Sequence, residues 1–381
     1  MPPNPTYPGV YIEEVPSGMR TTQGVPTAVT VFVGPTNLGW ANRPRRVRSF
    51  ADFERSFGGL SAALETGYAV RQFFLNSGTD AWVLRVAKKA SLPQIQRALQ
   101  ALETVDHFNL LVLPGATDPG ILAAAVACCE SRRAFLLIDA PVTGADGNDP
   151  VGAMASAMGG NALPKSSNAA VYFPWLRVPD PLNAGALRLV PPSGTIAGLF
   201  ARTDSQRGVW KAPAGVEANL AGVKEPACTR TDAQIAVLNP LGVNCLRAVP
   251  NIGVVCWGAR TLKGADGMGS EWKYVPVRRL ALFLEESLFR GSKWAVFEPN
   301  DEPLWSQIRL NFDAFMNGLF RQGALVGSTP RDAYFVRCDG STNTQADIGR
   351  GIVNILVGFA PLRPAEFVIL RIQQLAGQIR T

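Results

Sequence analysis

Phe108-Asn109-Leu110-Leu111-Val112-Leu113, then Pro114-Gly115, then Ile121-Leu122-Ala123-Ala124-Ala125-Val126-Ala127-Cys128-Cys129-Glu130-Ser131-Arg132, then Ala134-Phe135-Leu136-Leu137-Ile138: these residues decide the fold. The first and last runs are continuous apolar segments of strand length, the pattern of strands covered on both faces. The middle run is rich in alanine and long enough for about three helical turns. Apolar strands separated by a helix form a parallel pair, with helices covering the sheet.

Outward from this unit the punctuation is regular. Towards the N-terminus, Ala81-Trp82-Val83-Leu84-Arg85-Val86 reads as a strand, and a helix carrying Tyr68, Phe73 and Phe74 ends near Asn76-Ser77-Gly78. Ser49-Phe50-Ala51-Asp52-Phe53-Glu54 opens a shorter helix, with Ser49 as N-cap and Asp52 three residues on, and Gly58-Gly59 stops it. Residues 27–33 form a buried strand that turns at Gly34-Pro35-Thr36-Asn37. Towards the C-terminus, residues 141–168 make a long connection with one helix. Apolar segments at 172–175 and 195–200 and a turn at Asn239-Pro240-Leu241-Gly242 follow.

The last third changes character. Trp257-Gly258-Ala259-Arg260-Thr261-Leu262 ends a strand, and residues 274–291 contain a helix with Leu280, Phe283, Leu284, Leu288 and Phe289 on one side. Another helix starts after Asn300-Asp301-Glu302-Pro303, a cap followed by an early proline. Leu304, Ile308, Phe312, Phe315, Met316 and Leu319 give it an apolar stripe. Residues 333–338, 352–358 and 366–371 read as strands. The expected fold is α/β followed by α+β.

The N-terminus holds Tyr7-Pro8-Gly9-Val10-Tyr11-Ile12-Glu13-Glu14-Val15-Pro16-Ser17-Gly18, a strand-like segment fenced by proline and glycine. Pro2, Pro3 and Pro5 keep the preceding chain extended. Val10 and Ile12 alternate with Tyr11 and Glu13, the period of a pleated strand. No turn-linked partner adjoins it, yet its backbone groups must be satisfied. Such a strand adds itself to an open sheet edge, including that of a neighbouring subunit.

The chain has 381 residues, enough for two or three domains at about 150 residues each. With 47% hydrophobic and 18% charged residues it is not a disordered chain. A net charge of +7 favours an acidic partner. Six scattered cysteines without a C-x-x-C pair read as reduced core thiols of a cytoplasmic protein. No signal peptide is evident, and the apolar runs are too short to insert in a membrane.

No residue pattern of a catalytic or metal site stands out. The single histidine, His107, reads as a strand-end residue satisfied by a backbone group. Pro191-Pro192-Ser193-Gly194-Thr195 reads as a turn and lacks a nucleophile elbow. Gly264-Ala265-Asp266-Gly267-Met268-Gly269 lacks the Lys-Ser/Thr of a phosphate loop and reads as a surface loop. Glu285-Glu286, Glu298, Asp301 and Glu302 read as caps and dipole partners. Neither cysteines nor carboxylates have metal-ligand spacing, so no catalytic, metal or cofactor residue is assigned. The cluster Arg43, Arg45, Arg46, Arg48, broken by Pro44, reads as a solvated turn, with contact to an acidic protein partner as the next reading, and without a second basic patch it does not make a nucleic-acid surface. The alternative to a structural role is a hydrolase on the central α/β domain.

The chain resembles one family from end to end: the sheath proteins of contractile phage tails, tailocins and extracellular contractile injection systems. The residues that carry the resemblance are Tyr7–Gly18, Ser49-Phe50-Ala51-Asp52-Phe53-Glu54-Arg55 with Phe57-Gly58-Gly59, Phe73-Phe74-Leu75-Asn76-Ser77-Gly78, Ala81–Val86 and Phe108–Leu111. Further along come Ala201-Arg202-Thr203-Asp204 with Arg207–Gly215, Leu238–Asn244, Trp257–Leu262, Val296–Asp301 and Ala360-Pro361-Leu362-Arg363-Pro364-Ala365-Glu366-Phe367.

The resemblance implies a central subtilisin-like, doubly wound α/β domain without catalytic residues, a C-terminal α+β domain facing an inner tube, and extended N- and C-terminal β-arms. The implied divisions are an arm at 1–20, the N-terminal part of the core at 21–90, the sheath domain at 91–255, the tube-facing domain at 256–364 and a C-terminal arm at 365–381. Strand exchange between subunits falls on Val10, Tyr11, Ile12 and Glu13 and on Phe367, Val368, Ile369 and Leu370, with Pro16, Ser17 and Gly18 as hinge. Implied partners are copies of the chain in stacked hexamers and a helical lattice, an inner tube protein, and baseplate and terminal cap proteins. No direct nucleic acid, membrane insertion or cofactor is implied. Assembly is expected in the bacterial cytoplasm, and the short outer region favours a compact tailocin-like or injection-system sheath over the larger phage sheaths.

Overall fold

Residues that alternate between apolar strands and capped helices along the chain build one large sheet. The computed structural model describes residues 21–145 and 149–367. Its first half runs β1 (Thr30–Gly34), β2 (Arg45–Val47), α1 (Phe50–Phe57), α2 (Thr66–Leu75), β3 (Ala81–Arg85), α3 (Leu92–Ala101), β4 (Leu110–Val112), α4 (Pro119–Ser131) and β5 (Phe135–Asp139). Then come α5 (Pro150–Gly159), β6 (Ala169–Phe173), β7 (Leu176–Pro179), β8 (Leu187–Val190), α6 (Ser193–Arg207), β9 (Glu225–Pro226), α7 (Asp232–Leu238), β10 (Val243–Val249) and β11 (Gly253–Cys256).

Eight strands pair in the order β11-β10-β6-β5-β4-β1-β3-β2. The inner pairs are parallel, from β3 through β1, β4, β5 and β6 to β10. The outer strands β2 and β11 close it antiparallel. Every residue of β1, β4, β5 and β6 is buried, as their unbroken apolar runs require. Successive side chains enter opposite faces. Val31, Val33, Leu111, Leu136 and Ile138 pack on one side with Ile95, Leu99, Leu122 and Val126 of α3 and α4. Phe32, Leu110, Phe135, Leu137 and Tyr172 pack on the other with Phe53, Phe73, Ile196 and Phe200 of α1, α2 and α6. The sheet is thus covered by helices on both faces. Strands β8-β7-β9 form a small antiparallel sheet of their own.

Local chemistry sets the element ends. Ser49 accepts from the Asp52 amide at 3.1 Å, and Gly58 ends α1 in the left-handed region at φ 82°. The Asp52 carboxylate turns back to the amide of Arg48 rather than to that of Ser49. Asp118 caps α4 through Ile121 N at 2.9 Å, with Pro119 in the first turn.

Three sequence readings are corrected. Ser193-Gly194-Thr195 is not a turn but the first turn of α6, and the 195–200 segment lies inside that helix. A Cβ on Gly194 would stand 2.4 Å from the Ala69 carbonyl oxygen, so the two helices α2 and α6 touch backbone to backbone there. The basic cluster is not a solvated turn, because Arg45–Val47 is the edge strand β2, and Arg46 forks onto Asp80 through Nε at 2.7 Å. Residues 264–269 are more than a surface loop: Asp266–Met268 is a 3-10 turn whose Asp266 accepts from Arg260 and Lys273.

The chain divides into two compact units. The larger holds residues 25–285 and 361–367 of those described, and the smaller 21–24 and 286–360. Helix α8 (Val275–Gly291) contributes residues to each. Of its expected stripe, Leu280 and Leu284 are buried, whereas Phe289 is exposed. The smaller unit contains α9 (Glu302–Arg321), α10 (Pro330–Ala333), β12 (Tyr334–Arg337), α11 (Gln345–Gly349) and β13 (Leu356–Phe359). Asp301 caps α9 by accepting from Leu304 N at 3.3 Å. Leu304, Trp305, Ile308 and Phe312 of α9 form this unit's core with Cys338.

Candidate assembly interface

The smaller unit carries a two-stranded sheet, which is marginal in water without further support. β12 and β13 pair antiparallel from Tyr334↔Phe359 to Arg337↔Leu356 and, among the described residues, with nothing else. Several bonds keep the pair in place. Val326 N donates to Ala360 O at 2.9 Å, and Ala360 N donates to Ala333 O at 2.8 Å. The buried Asn343 side chain accepts from Asn354 N at 2.5 Å and donates to Asp339 O at 3.1 Å, closing the connection between the strands. The Phe335 ring lies over Gly358, filling the space of the missing side chain. Phe335 and Leu356 are exposed. A short sheet with no further strand on either edge among the described residues, and with apolar side chains at its surface, is the kind to which strands add.

Of the residues expected to exchange between subunits, Val10, Tyr11, Ile12, Glu13, Val368, Ile369 and Leu370 lie outside the described residues, as do the hinge residues Pro16, Ser17 and Gly18. Phe367 is described, 73% exposed and outside any strand. The strand expected over 366–371 therefore does not begin at its first two residues, and its remainder is outside the description. The strand expected over 352–358 starts only at Leu356.

The β2 edge of the large sheet is protected against such pairing. Arg45 and Arg46 on β2 are exposed, and charged side chains on an edge strand discourage another strand from docking.

The candidate catalytic groups serve structure. His107 Nε2 lies 3.1 Å from Pro26 O and 3.0 Å from Asn109 Nδ2, a strand-end histidine bonded to backbone as expected. It stands before the N-terminal end of β4, whereas Asp139 ends the parallel neighbour β5. Asp139 is fully buried and accepts from Gly115 N at 2.9 Å, Ser193 N at 2.7 Å and Ser193 Oγ at 2.8 Å. Burial pushes its carboxyl up to about 6, against the pull of those hydrogen bonds. The sequence singles out neither Asp139 nor its bond to Ser193. The two residues tie the β4–α4 loop to the start of α6, at opposite ends of the sheet from the imidazole that a nucleophilic serine needs. Asp301 caps a helix as read, while Glu285 and Glu286 are ion-pair partners of Arg278 and Arg290. Burial pushes the Cys245 and Cys256 thiols up to about 12, which removes their thiolates at neutral pH. Among the described residues no group of three or more His, Cys, Asp and Glu converges on a metal position. No helix among them is long and apolar enough to cross a membrane.

Residues 88–262 match the phage tail sheath protein central domain, and residues 268–374 match the phage tail sheath C-terminal domain. Among solved structures, the contracted helical sheath of the anti-feeding prophage is 34% identical, with a TM-score of 0.79 over 97% of this chain and 100% of that one. In the baseplate of the same particle the matching chain is 32% identical, with a TM-score of 0.77 over 97% of this chain and 99% of that one. The contracted sheath complex of PVC, an extracellular contractile injection system, is 33% identical, with a TM-score of 0.80 over 98% of each chain. A prophage major tail sheath protein of Pseudomonas aeruginosa (strain UCBPP-PA14) is 27% identical over 283 residues, which is 72% of this chain and 68% of that one.

Proposed function

The chain belongs to the phage tail sheath family, and we propose that it polymerises as stacked hexameric rings around an inner tube and contracts to drive that tube through a target envelope. It is a structural sheath subunit and not an enzyme, and the hydrolase alternative falls with that membership. The single observation that carries the mechanical reading is likeness over nearly the whole chain to a helical sheath in its contracted state.

Copies of the chain, a baseplate, an inner tube protein and a terminal cap are its partners, in a phage tail or phage-tail-like particle assembled in the bacterial cytoplasm. Likeness to sheath chains in both a helical sheath and a baseplate supports the first two. The helix-covered parallel sheet supports a subtilisin-like central domain whose catalytic residues are absent. Residues 10–13 and 367–370 are the exchanged strands, 16–18 the hinge, and the open edges of β12 and β13 are the receiving surface. Functional boundaries follow at 20, 90, 255 and 364. Domains turn as rigid bodies on contraction while the exchanged strands keep neighbours linked.

Negative-stain electron microscopy of the purified chain, alone and with its tube protein, tests this. Hollow striated cylinders are the expected result. Dispersed particles under both conditions, and also when a baseplate is supplied as nucleus, would overturn it.

A further inference from the structure

We propose that Arg260 is the anchor of the C-terminal segment, a buried guanidinium that grips Glu366 and holds residues 361–367 to the larger unit. Arg260 N donates to Asn244 Oδ1 at 2.7 Å, and Asn244 Nδ2 donates back to Arg260 O at 2.8 Å and to Val171 O at 3.1 Å. Asn244 is a buried residue of β10, so the backbone of Arg260 is bonded to the large sheet itself. On either side, Trp257 N donates to Cys245 O and Leu262 N to Ala169 O, each at 2.8 Å.

The side chain is 0% exposed, the largest fully buried side chain among the described residues. Nε donates to Glu366 Oε1 at 2.7 Å and Nη2 donates to Glu366 Oε2 at 2.6 Å, a two-point fork. Nη1 donates to Asp266 Oδ1 and Asn239 O, each at 2.9 Å. Tyr274 Oη donates to Glu366 Oε2 at 3.2 Å, Lys273 Nζ donates to Asp266 at 2.7 Å and lies 3.8 Å from Glu366. Two cations thus meet two anions, which is how a buried charge is tolerated.

Residues 361–367 have little hydrophobic hold of their own. None of their side chains is buried, and Pro361 and Pro364 have no amide to donate. The fork at Glu366 fixes both position and direction one residue before Phe367, where a flexible ammonium would fix position alone. The inference rests on the reading that the C-terminal segment reaches a neighbouring subunit. A segment that links subunits through contraction needs a root that does not slide.

Hydrogen–deuterium exchange on the full-length subunit, with electron microscopy of its assembly, separates the two ideas. Glu366→Gln should speed exchange across residues 361–367 about tenfold while protection of β4 and β5 stays as in the wild type. Arg260→Lys keeps the charge and loses the fork, so the same loosening is expected. Cylinder formation should fall in both. Unchanged exchange over 361–367 in Glu366→Gln overturns the anchor, and this variant decides the question if Arg260→Lys does not fold. A chain truncated after Phe367 scores the other reading, because its normal assembly would remove the linking role of the segment while leaving the exchange result to judge Arg260.

Discussion

Asp139 shows how one residue can look catalytic and be structural. Its carboxyl titrates at about 6 instead of 3.8, mainly because burial disfavours the charged form. The folded state therefore holds a proton that the unfolded chain has already released between these values. Stability falls as pH rises through this window, by about 3 kcal/mol in all, and the loss is complete above pH ~6. Asp139→Asn removes this titration. Urea unfolding from pH 4 to pH 7 should show the wild type losing stability relative to the variant as pH rises, and a constant difference would contradict the assignment. Caps such as Ser49 and Asp301 were readable because donor and acceptor stand three residues apart. Arg260 and Glu366 were not, since 106 residues separate them and neither local pattern advertises the other.

At the scale of elements, apolar period succeeded where one face is exposed and failed where none is. α9 declares itself by its stripe, whereas α6 begins with nine consecutive buried residues from Ser193 to Ala201 and has no polar face to mark a period. Pro191-Pro192-Ser193-Gly194 then reads locally as a turn, and only packing against α2 makes it a helix start. Gly194 and Gly198 lie four residues apart, on one helical face, and a Cβ on either would stand 2.4 Å from a carbonyl oxygen of α2, that of Ala69 or Phe73. Gly194→Ala should raise helix propensity and still destabilise the larger unit by about 1–3 kcal/mol, because backbone must move to admit the methyl group. Thermal unfolding checks it, and an unchanged or higher Tm would mean that the helices separate freely. The edge strand β2 was hidden for a related reason: Arg45 and Arg46 suit an edge exposed to water but not the apolar pattern by which strands are recognised.

On the scale of the whole molecule, the parallel sheet was legible because strand, helix and strand follow one another along the chain, but the smaller unit joins residues distant in sequence. Thr22 is bonded through its amide and hydroxyl to Asn311 Oδ1 of α9 at 2.6 and 3.0 Å. Gly291 leaves room for it, since a Cβ there would stand 2.4 Å from the Thr22 hydroxyl oxygen. Thr22 is therefore held within its own subunit by bonds that do not involve residues 1–18. An exchanged strand making about four backbone bonds at about 1 kcal/mol each contributes only a few kcal/mol per joint, so a single joint is weak and a lattice of them is not. Removing residues 1–18 should consequently abolish cylinders while leaving a soluble subunit whose Tm lies within about 2 °C of the wild type. Electron microscopy and thermal unfolding of the same preparation read the two effects separately. Normal cylinders from the truncated chain would move the linkage to other contacts, and a collapsed Tm would mean that residues 1–18 stabilise their own subunit rather than the next one.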